Sequence, residues 1–281
     1  MVEMEERITL NQLLSLPYNE VEELITSFIR ERVSQAGVDK AVVGLSGGLD
    51  STTVLDLLVR ALGESKVVAL IMPDPRVTRR EDVNDAIELA GKYGVEYYVV
   101  TISGIFDSFS SIPFFSREDL ISNGNLRARI RMTLLYYYAN RYKALVTGTG
   151  DRSELLIGYY TKYGDGGVDI LPIGSLYKTQ VRRLAMHLGL PSKIVNKPSS
   201  PGFWLGHLAE EELGIKYEEI DLVLYSIVDR GIDPSLVPKY TGIPRDIVDK
   251  VVEMHRKSRH KRVFPPIPRF PWMKKDPLYE F

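Results

Sequence analysis

The chain has no cysteine among its 281 residues, and that absence removes several chemistries together. A disulfide framework, a zinc ribbon, an iron–sulfur centre and any thiol nucleophile are excluded. An excess of one charge is missing too. There are 36 basic and 37 acidic residues, a formal net charge of −1, so the chain is not built as a general polyanion binder. No apolar run approaches the roughly 20 residues that a bilayer crossing needs. The start, MVEMEERITL, is acidic and lacks the basic-then-apolar order of a signal peptide. A cytoplasmic protein is expected, with neither membrane nor nucleic acid as partner. Histidine is scarce: the four residues His187, His207, His255 and His260 are spread without ligand spacing, and no transition metal is expected.

What remains is an ordinary soluble composition, 44% apolar and 26% charged. A chain of this size buries roughly three-quarters of its unfolded surface and needs no staples. Length alone suggests about two domains, but the pattern reads as one, over residues 1–268, with a proline-rich tail over 269–281. Residues 18–35 carry an amphipathic helical pattern with Val21, Leu24, Ile25, Phe28 and Ile29 on one face, and Gly37 stops it. Short apolar runs at 41–45, 67–72, 95–102 and 145–147 read as strands. Helical patterns lie between them at 50–62, 80–93 and 118–142. Further helices are expected from about residue 175, over 210–227 and over 244–259, the last with proline in its first turn. Segments 103–116 and 196–206 read as irregular loops.

Short, continuous apolar strands alternating with helices require crossover connections and hence a parallel sheet. In such a sheet, ligands bind beyond the carboxyl ends of the strands. Residues 46–51 and 148–154 each follow a strand directly, so both are expected on that rim and close together. The first of them is Ser46-Gly47-Gly48-Leu49-Asp50-Ser51. Its two glycines let backbone pass close to an anion, and the helix that follows points free N–H groups at it. Ser46 and Ser51 add hydroxyls, and Asp50 suits the magnesium that a polyphosphate carries. The Gly-Lys-Ser/Thr of a Walker loop is absent, so the loop suits a departing pyrophosphate better than a transferred γ-phosphate.

This string resembles the pyrophosphate loop of the N-type ATP pyrophosphatases, which split ATP between the α and β phosphates to adenylate a carbonyl or carboxyl oxygen. Further blocks are similar to one branch, the NAD synthetases. They are Gly148-Thr149 with Ser153-Glu154, GYYTKYGDGGVD at 158–169, LPIGSLYKTQVRRLA at 171–185, NLRARIRM at 125–132 and His260-Lys261-Arg262. The likeness runs from about residue 18 to residue 268. It implies a Rossmann-like, doubly wound α/β fold of the adenine nucleotide alpha hydrolase type, a three-layer α/β/α sandwich. It also implies ATP-dependent amidation of deamido-NAD to NAD, with AMP and pyrophosphate released, as the last step of NAD biosynthesis.

By the same resemblance, ATP is held by Gly44, Leu45, Ser46, Gly47, Gly48, Leu49, Asp50, Ser51, Arg76, Thr149, Lys178 and Ser200. Magnesium falls to Asp50 and Glu154, and Lys178 neutralises the phosphates, so Asp50, Glu154 and Lys178 form the catalytic group. Deamido-NAD is contacted by Arg129, Lys162, Asp169, His260 and Lys261. Arg76, Arg79 and Arg80 follow the second strand, where the family holds adenosine; Arg76 is preferred, Arg79 or Arg80 being alternatively ordinary helix-start charges. Arg182 reads as a phosphate contact or an exposed helix residue. Arg131 reads as structural, because it points about 200° around the helix from Arg129. Tyr136, Tyr137 and Tyr138 read as core or interface packing, or as a stacking surface for the pyridine ring. Asp151 departs from the asparagine that many relatives carry.

The absent cysteine matters again here. Glutamine-fed amide formation of this kind needs a cysteine to form a thioester, and the chain has no room for a glutaminase domain. Free ammonia is therefore the expected nitrogen donor. The family works as a homodimer, and the helices at 126–142 and 18–35 are the candidate interface. A tRNA-modifying pyrophosphatase and a non-catalytic nucleotide-binding regulator are the rival readings. The first wants cysteines and a basic surface; the second would be expected to have lost Asp50, Glu154 or Lys178.

Overall fold

A computed structural model describes residues 7–268 and 270–272; most of the expected proline-rich tail lies outside the described residues. Four parallel strands form the sheet: β1 (Lys40–Gly44), β2 (Val67–Ile71), β3 (Glu96–Val99) and β4 (Ala144–Thr147), in the order β3-β2-β1-β4. Ala41 pairs with Val67 on one side and Leu145 on the other. All five residues of β2 are buried, which explains its unbroken apolar run: both faces of a parallel strand are covered by crossover helices.

The first six helices are α1 (Leu10–Leu14), α2 (Tyr18–Gln35), α3 (Leu49–Leu62), α4 (Arg80–Tyr93), α5 (Ser103–Ser108) and α6 (Leu120–Tyr142). Next come α7 (Arg152–Ile157), α8 (Lys178–His187), α9 (Ser192–Val195) and α10 (Ala209–Leu213). The chain closes with α11 (Tyr217–Leu224), α12 (Val237–Thr241), α13 (Arg245–Lys257) and α14 (Arg259–Arg262). Successive strand residues point to opposite faces, and the core divides accordingly. Ala41 and Val43 meet Ile29 of α2, Leu55 of α3 and Leu184 of α8 on one face. Val42 meets Phe106 of α5 and Ile130 and Leu135 of α6 on the other. The result is the expected α/β/α sandwich. A separate apolar cluster joins α1 with α10 to α13, around Tyr217, Ile220 and Val248.

Several expected elements differ. The third strand is shorter than 95–102, although Val100 and Ile102 still donate to Ile71 and Pro73 carbonyls at 2.8 and 3.0 Å. Segment 103–116 is not wholly irregular, since α5 and a 3-10 turn at Phe109–Ser111 occupy its first part. The helix expected over 210–227 is broken: Gly214 ends α10 at φ +61°, and the Glu210 carboxylate accepts from the Tyr217 N–H at 2.8 Å, capping the next helix. Pro244 stands just before the first helical residue of α13 rather than in its first turn. Helices of four to six residues, such as α7 and α14, span barely more than one turn and show no 3.6-residue periodicity to read.

A buried pair ties the loop after β2 to α6. Asp74 is wholly buried and accepts from Arg127 Nε at 2.7 Å and Arg76 Nε at 2.8 Å. Despite burial, these two guanidinium groups hold its carboxyl down, at about 2. A depressed carboxyl stabilises the fold above its unfolded value and loses that contribution as pH falls through the folded one. Asp74→Asn is therefore expected to cost about 2 kcal/mol near pH 7. The gap from the parent should narrow between pH 4 and pH 2, as read by denaturant titration.

Candidate active site

Two strand ends supply the site. Beyond β1, Ser46 N–H donates to Ser51 Oγ at 3.2 Å and the two hydroxyls lie 3.0 Å apart, which folds the loop back on the start of α3. Gly47 adopts φ +75°, and a Cβ there would lie 2.4 Å from the Asp82 carbonyl oxygen. Gly48 offers α3 no capping side chain and donates its own N–H to Ser46 Oγ at 3.3 Å, so the cap residue does not compete for the N–H groups that open the helix. These are the conditions of an anion cradle. Beyond β4, Gly148 N–H donates to Ile170 O at 2.8 Å. Asp151 then caps α7, accepting from Glu154 N–H at 2.8 Å.

Lys178, the first residue of α8, joins the two ends. Its side chain is fully buried, with Nζ 2.7 Å from Asp50 Oδ2, 2.8 Å from Asp151 Oδ2 and 2.9 Å from Glu154 Oε1. Burial alone would lower its pKa, but Asp151, Asp50 and Glu154 outweigh it and raise it well above the usual lysine value. Burial conversely pushes Glu154 well up, and Asp151 up, against the pull of Lys178. Three carboxylates against one ammonium leave an uncompensated negative charge. Asp50, Asp151 and Glu154 each offer an oxygen within 4.8 Å of the others, and Asp50 Oδ1 is buried without a hydrogen-bond partner. Hard oxygen donors in surplus charge fit a divalent cation such as magnesium.

These groups line or back a cavity of about 530 Å³ that Gly44, Leu45, Ser46, Asp50, Thr149 and Glu154 help to enclose. Gly48, Leu49, Ser51, Ser200 and Lys261 also reach its wall. The expected meeting of segments 46–51 and 148–154 is thus met. Arg76 stands outside the wall, bound to Asp74 and Asp107 and lying 4.9 Å over the Phe106 ring. Arg79 is in it, paired with Asp82 at 3.0 Å. Arg131, read as structural, also faces the cavity while donating to Met72 O at 2.9 Å, and burial pushes its guanidinium down to about 10. The turn that separates it from Arg129 aims it at the strand ends.

The residues assigned to deamido-NAD gather beside the cavity rather than in its wall, apart from Lys261. Exposed Arg129 donates to Lys162 O at 3.2 Å, Lys162 Nζ to His260 O at 2.9 Å, and Lys261 Nζ to Gly158 O at 2.6 Å. Asp169 accepts from Tyr136 O–H at 2.9 Å and Val146 N–H at 2.8 Å. Tyr138 is core, whereas Tyr137 is exposed. Of the two loop segments, 197–204 reaches the cavity, with Phe203 and Trp204 in its wall. A Cβ on Gly124 of α6 would lie 2.2 Å from the Phe203 ring, so the bare glycine is what lets that ring dock.

The NAD synthase family profile matches residues 21–265. The chain belongs to the NAD synthase family. Among its relatives, the NH(3)-dependent NAD(+) synthetase of Staphylothermus marinus is 58% identical over 273 residues, covering 97% of this chain and 99% of the relative. Among solved structures, the NMN synthetase of Francisella tularensis superposes with a TM-score of 0.80 at 32% identity, covering 91% of this chain and all of that one. A glutamine-dependent NAD+ synthetase from Acinetobacter baumannii matches with a TM-score of 0.62 at 29% identity. There the match covers 90% of this chain but 47% of the longer one. The NAD synthase likeness thus spans the sheet, the SGGLDS loop and the Lys178 cluster alike. No helix among the described residues is long and apolar enough to cross a membrane.

Proposed function

We propose that the protein is an ammonia-dependent NAD synthetase of the cytoplasm, amidating deamido-NAD at the expense of ATP. The observation that carries this reading is the junction of the SGGLDS loop with Asp50, Glu154 and Lys178 at the ends of β1 and β4. In the reaction the nicotinate carboxylate oxygen bonds to the α-phosphorus of ATP, the α–β bond breaks, and pyrophosphate departs. The SGGLDS backbone N–H groups, with Lys178, stabilise the charge on that leaving group. Asp50 and Glu154, joined by Asp151, are the residues that would hold magnesium, which neutralises polyphosphate charge when bound. Ammonia then attacks the acyl carbon, the bond to the AMP oxygen breaks, and a nitrogen proton is lost. Phe203 and Trp204, in the cavity wall, help to exclude water that would hydrolyse the adenylate.

Arg129, Lys162, Asp169, His260 and Lys261 are proposed to hold the dinucleotide. A homodimer is proposed as well. The edge strand β3 is exposed along its length, and Tyr97, Tyr98, Tyr137 and Tyr142 are exposed with it, an aromatic surface of the kind that interfaces cover. This supports α6 with β3 as the interface. Helix α2 exposes one large apolar residue, Leu24, and supports it less.

Purified protein with ATP, magnesium, deamido-NAD and ammonium is expected to form NAD, read as NADH by alcohol dehydrogenase cycling. Glutamine in place of ammonium should give none. The likeness to an NMN synthetase favours one second reading, amidation of the mononucleotide. A higher kcat/KM for nicotinic acid mononucleotide than for deamido-NAD would select it.

A further inference from the structure

Asp221 is a carboxylate where the fold calls for an apolar residue. It is wholly buried on α11, with Ile220, Val223 and Leu224 of the same helix packed at zero exposure in the carboxyl-terminal core. Placing a carboxylate there is costly unless its oxygens are occupied, and each has a donor. Ser153 Oγ donates to Oδ1 at 2.5 Å, and the Thr179 N–H donates to Oδ2 at 2.9 Å. Even so, burial pushes the carboxyl up to about 7. An apolar side chain there would leave the buried Ser153 hydroxyl and Thr179 N–H without this acceptor, so the carboxylate is explained by the two groups it holds.

Both contacts lead to the nucleotide site. Ser153 directly precedes Glu154, and its hydroxyl oxygen in turn accepts from the Lys178 N–H at 2.8 Å. Thr179 directly follows Lys178. One carboxylate thereby joins the first turns of α7 and α8, the two helices that carry Glu154 and Lys178. One helical turn before Asp221, Tyr217 faces the same target, with its ring 5.3 Å from Lys178 Nζ. Ammonium and carboxylates that must stay within 2.7–2.9 Å of one another demand helix starts fixed to a fraction of an ångström.

We propose that Asp221 is a positioning residue for amide formation, acting through Ser153 and the amino end of α8 to hold Glu154 and Lys178 in register. This role rests on the synthetase reading above. The test is a double-mutant cycle on kcat, with Asp221→Asn, Ser153→Ala and the pair, each assayed well below its melting temperature. Asp221→Asn keeps the size and one acceptor, and Ser153→Ala opens the same link from the other side, removing the donor to Asp221 Oδ1 and the acceptor of the Lys178 N–H while the acid itself stays.

Each single variant is expected to lose roughly tenfold or more in kcat, the scale of outer-shell partners elsewhere. KM for ATP should change by less than about threefold. The double variant should be no worse than the weaker single one, because both break one link. Unchanged kcat in folded single variants, or losses that multiply in the double, overturns the role. If Asp221→Asn fails to fold, kcat of Ser153→Ala decides alone, a roughly tenfold loss supporting the role and a parental value overturning it. Absence of NAD formation by the parent chain overturns the synthetase reading and this role with it; an active parent with unaffected variants overturns this role alone.

Discussion

Lys178→Met will reduce NAD formation by roughly 10³-fold and destabilise the protein in a way that depends on pH. The catalytic loss follows from removing the ammonium that joins the SGGLDS loop to α7, 2.7 Å from Asp50 and 2.9 Å from Glu154. The stability loss follows from what stays behind. Asp151 and Glu154 are already pushed upward by burial even with Lys178 present, and without it nothing compensates them. Leaving buried charge unpaired costs about 3–5 kcal/mol. The variant then takes up protons on folding, so its native state binds more protons than its unfolded state and its stability falls as pH rises. Its deficit should be largest above neutrality and shrink towards pH 5, as read by urea titration across that range. A deficit flat in pH would mean that the three carboxylates are not held together by the lysine.

The second large effect is Gly47→Ala. The position adopts φ +75° and faces backbone: the new Cβ would lie 2.4 Å from the Asp82 carbonyl oxygen and 3.2 Å from the Ala86 nitrogen. The conformation itself costs about 1–2 kcal/mol for a non-glycine residue, and α4 cannot yield as a side chain would. The loop must shift instead, which takes its N–H groups away from the phosphates. KM for ATP is expected to rise by at least roughly tenfold, with kcat down as well, about 1.4 kcal/mol or more in kcat/KM. Gly48→Ala is the comparison. Its φ is −93° and its Cβ would meet only the Ser46 Oγ, at 3.3 Å, which can rotate. The order Gly47 far worse than Gly48 is the measurable outcome; equal losses would contradict the loop geometry.

Both substitutions fall where the sequence speaks most clearly. An unbroken apolar run, two glycines and an amphipathic helix are local signals, and parallel-sheet topology carries them to one rim. That is why segments 46–51 and 148–154 could be brought together from spacing. The residues that escaped sequence reading depend on rotation and distance. Arg131 and Arg129 differ by about 200° around one helix, and which of them faces the cavity is decided by how α6 lies across the strand ends. Arg79, not Arg76, lines the cavity because Asp74, only two residues before Arg76, claims it at 2.8 Å; the acid is plain in the sequence, but its complete burial is not. Asp221 looks like one acid among several in an acidic helix, and only its burial against Ser153 and Thr179 sets it apart.

Helix α6 has no spare turn. Asn123 donates to the Ser116 carbonyl at 2.9 Å, Gly124 seats the Phe203 ring, and Asn125 accepts from Thr161 at 2.7 Å. Arg127 holds Asp74 at 2.7 Å, Arg131 holds the Met72 carbonyl at 2.9 Å, and Tyr136 holds Asp169 at 2.9 Å. One inserted or deleted residue would turn everything beyond it by about 100° and break these attachments together, while point changes break them singly. The helix therefore works as a ruler: its side chains can drift one at a time, but its length between 123 and 136 cannot.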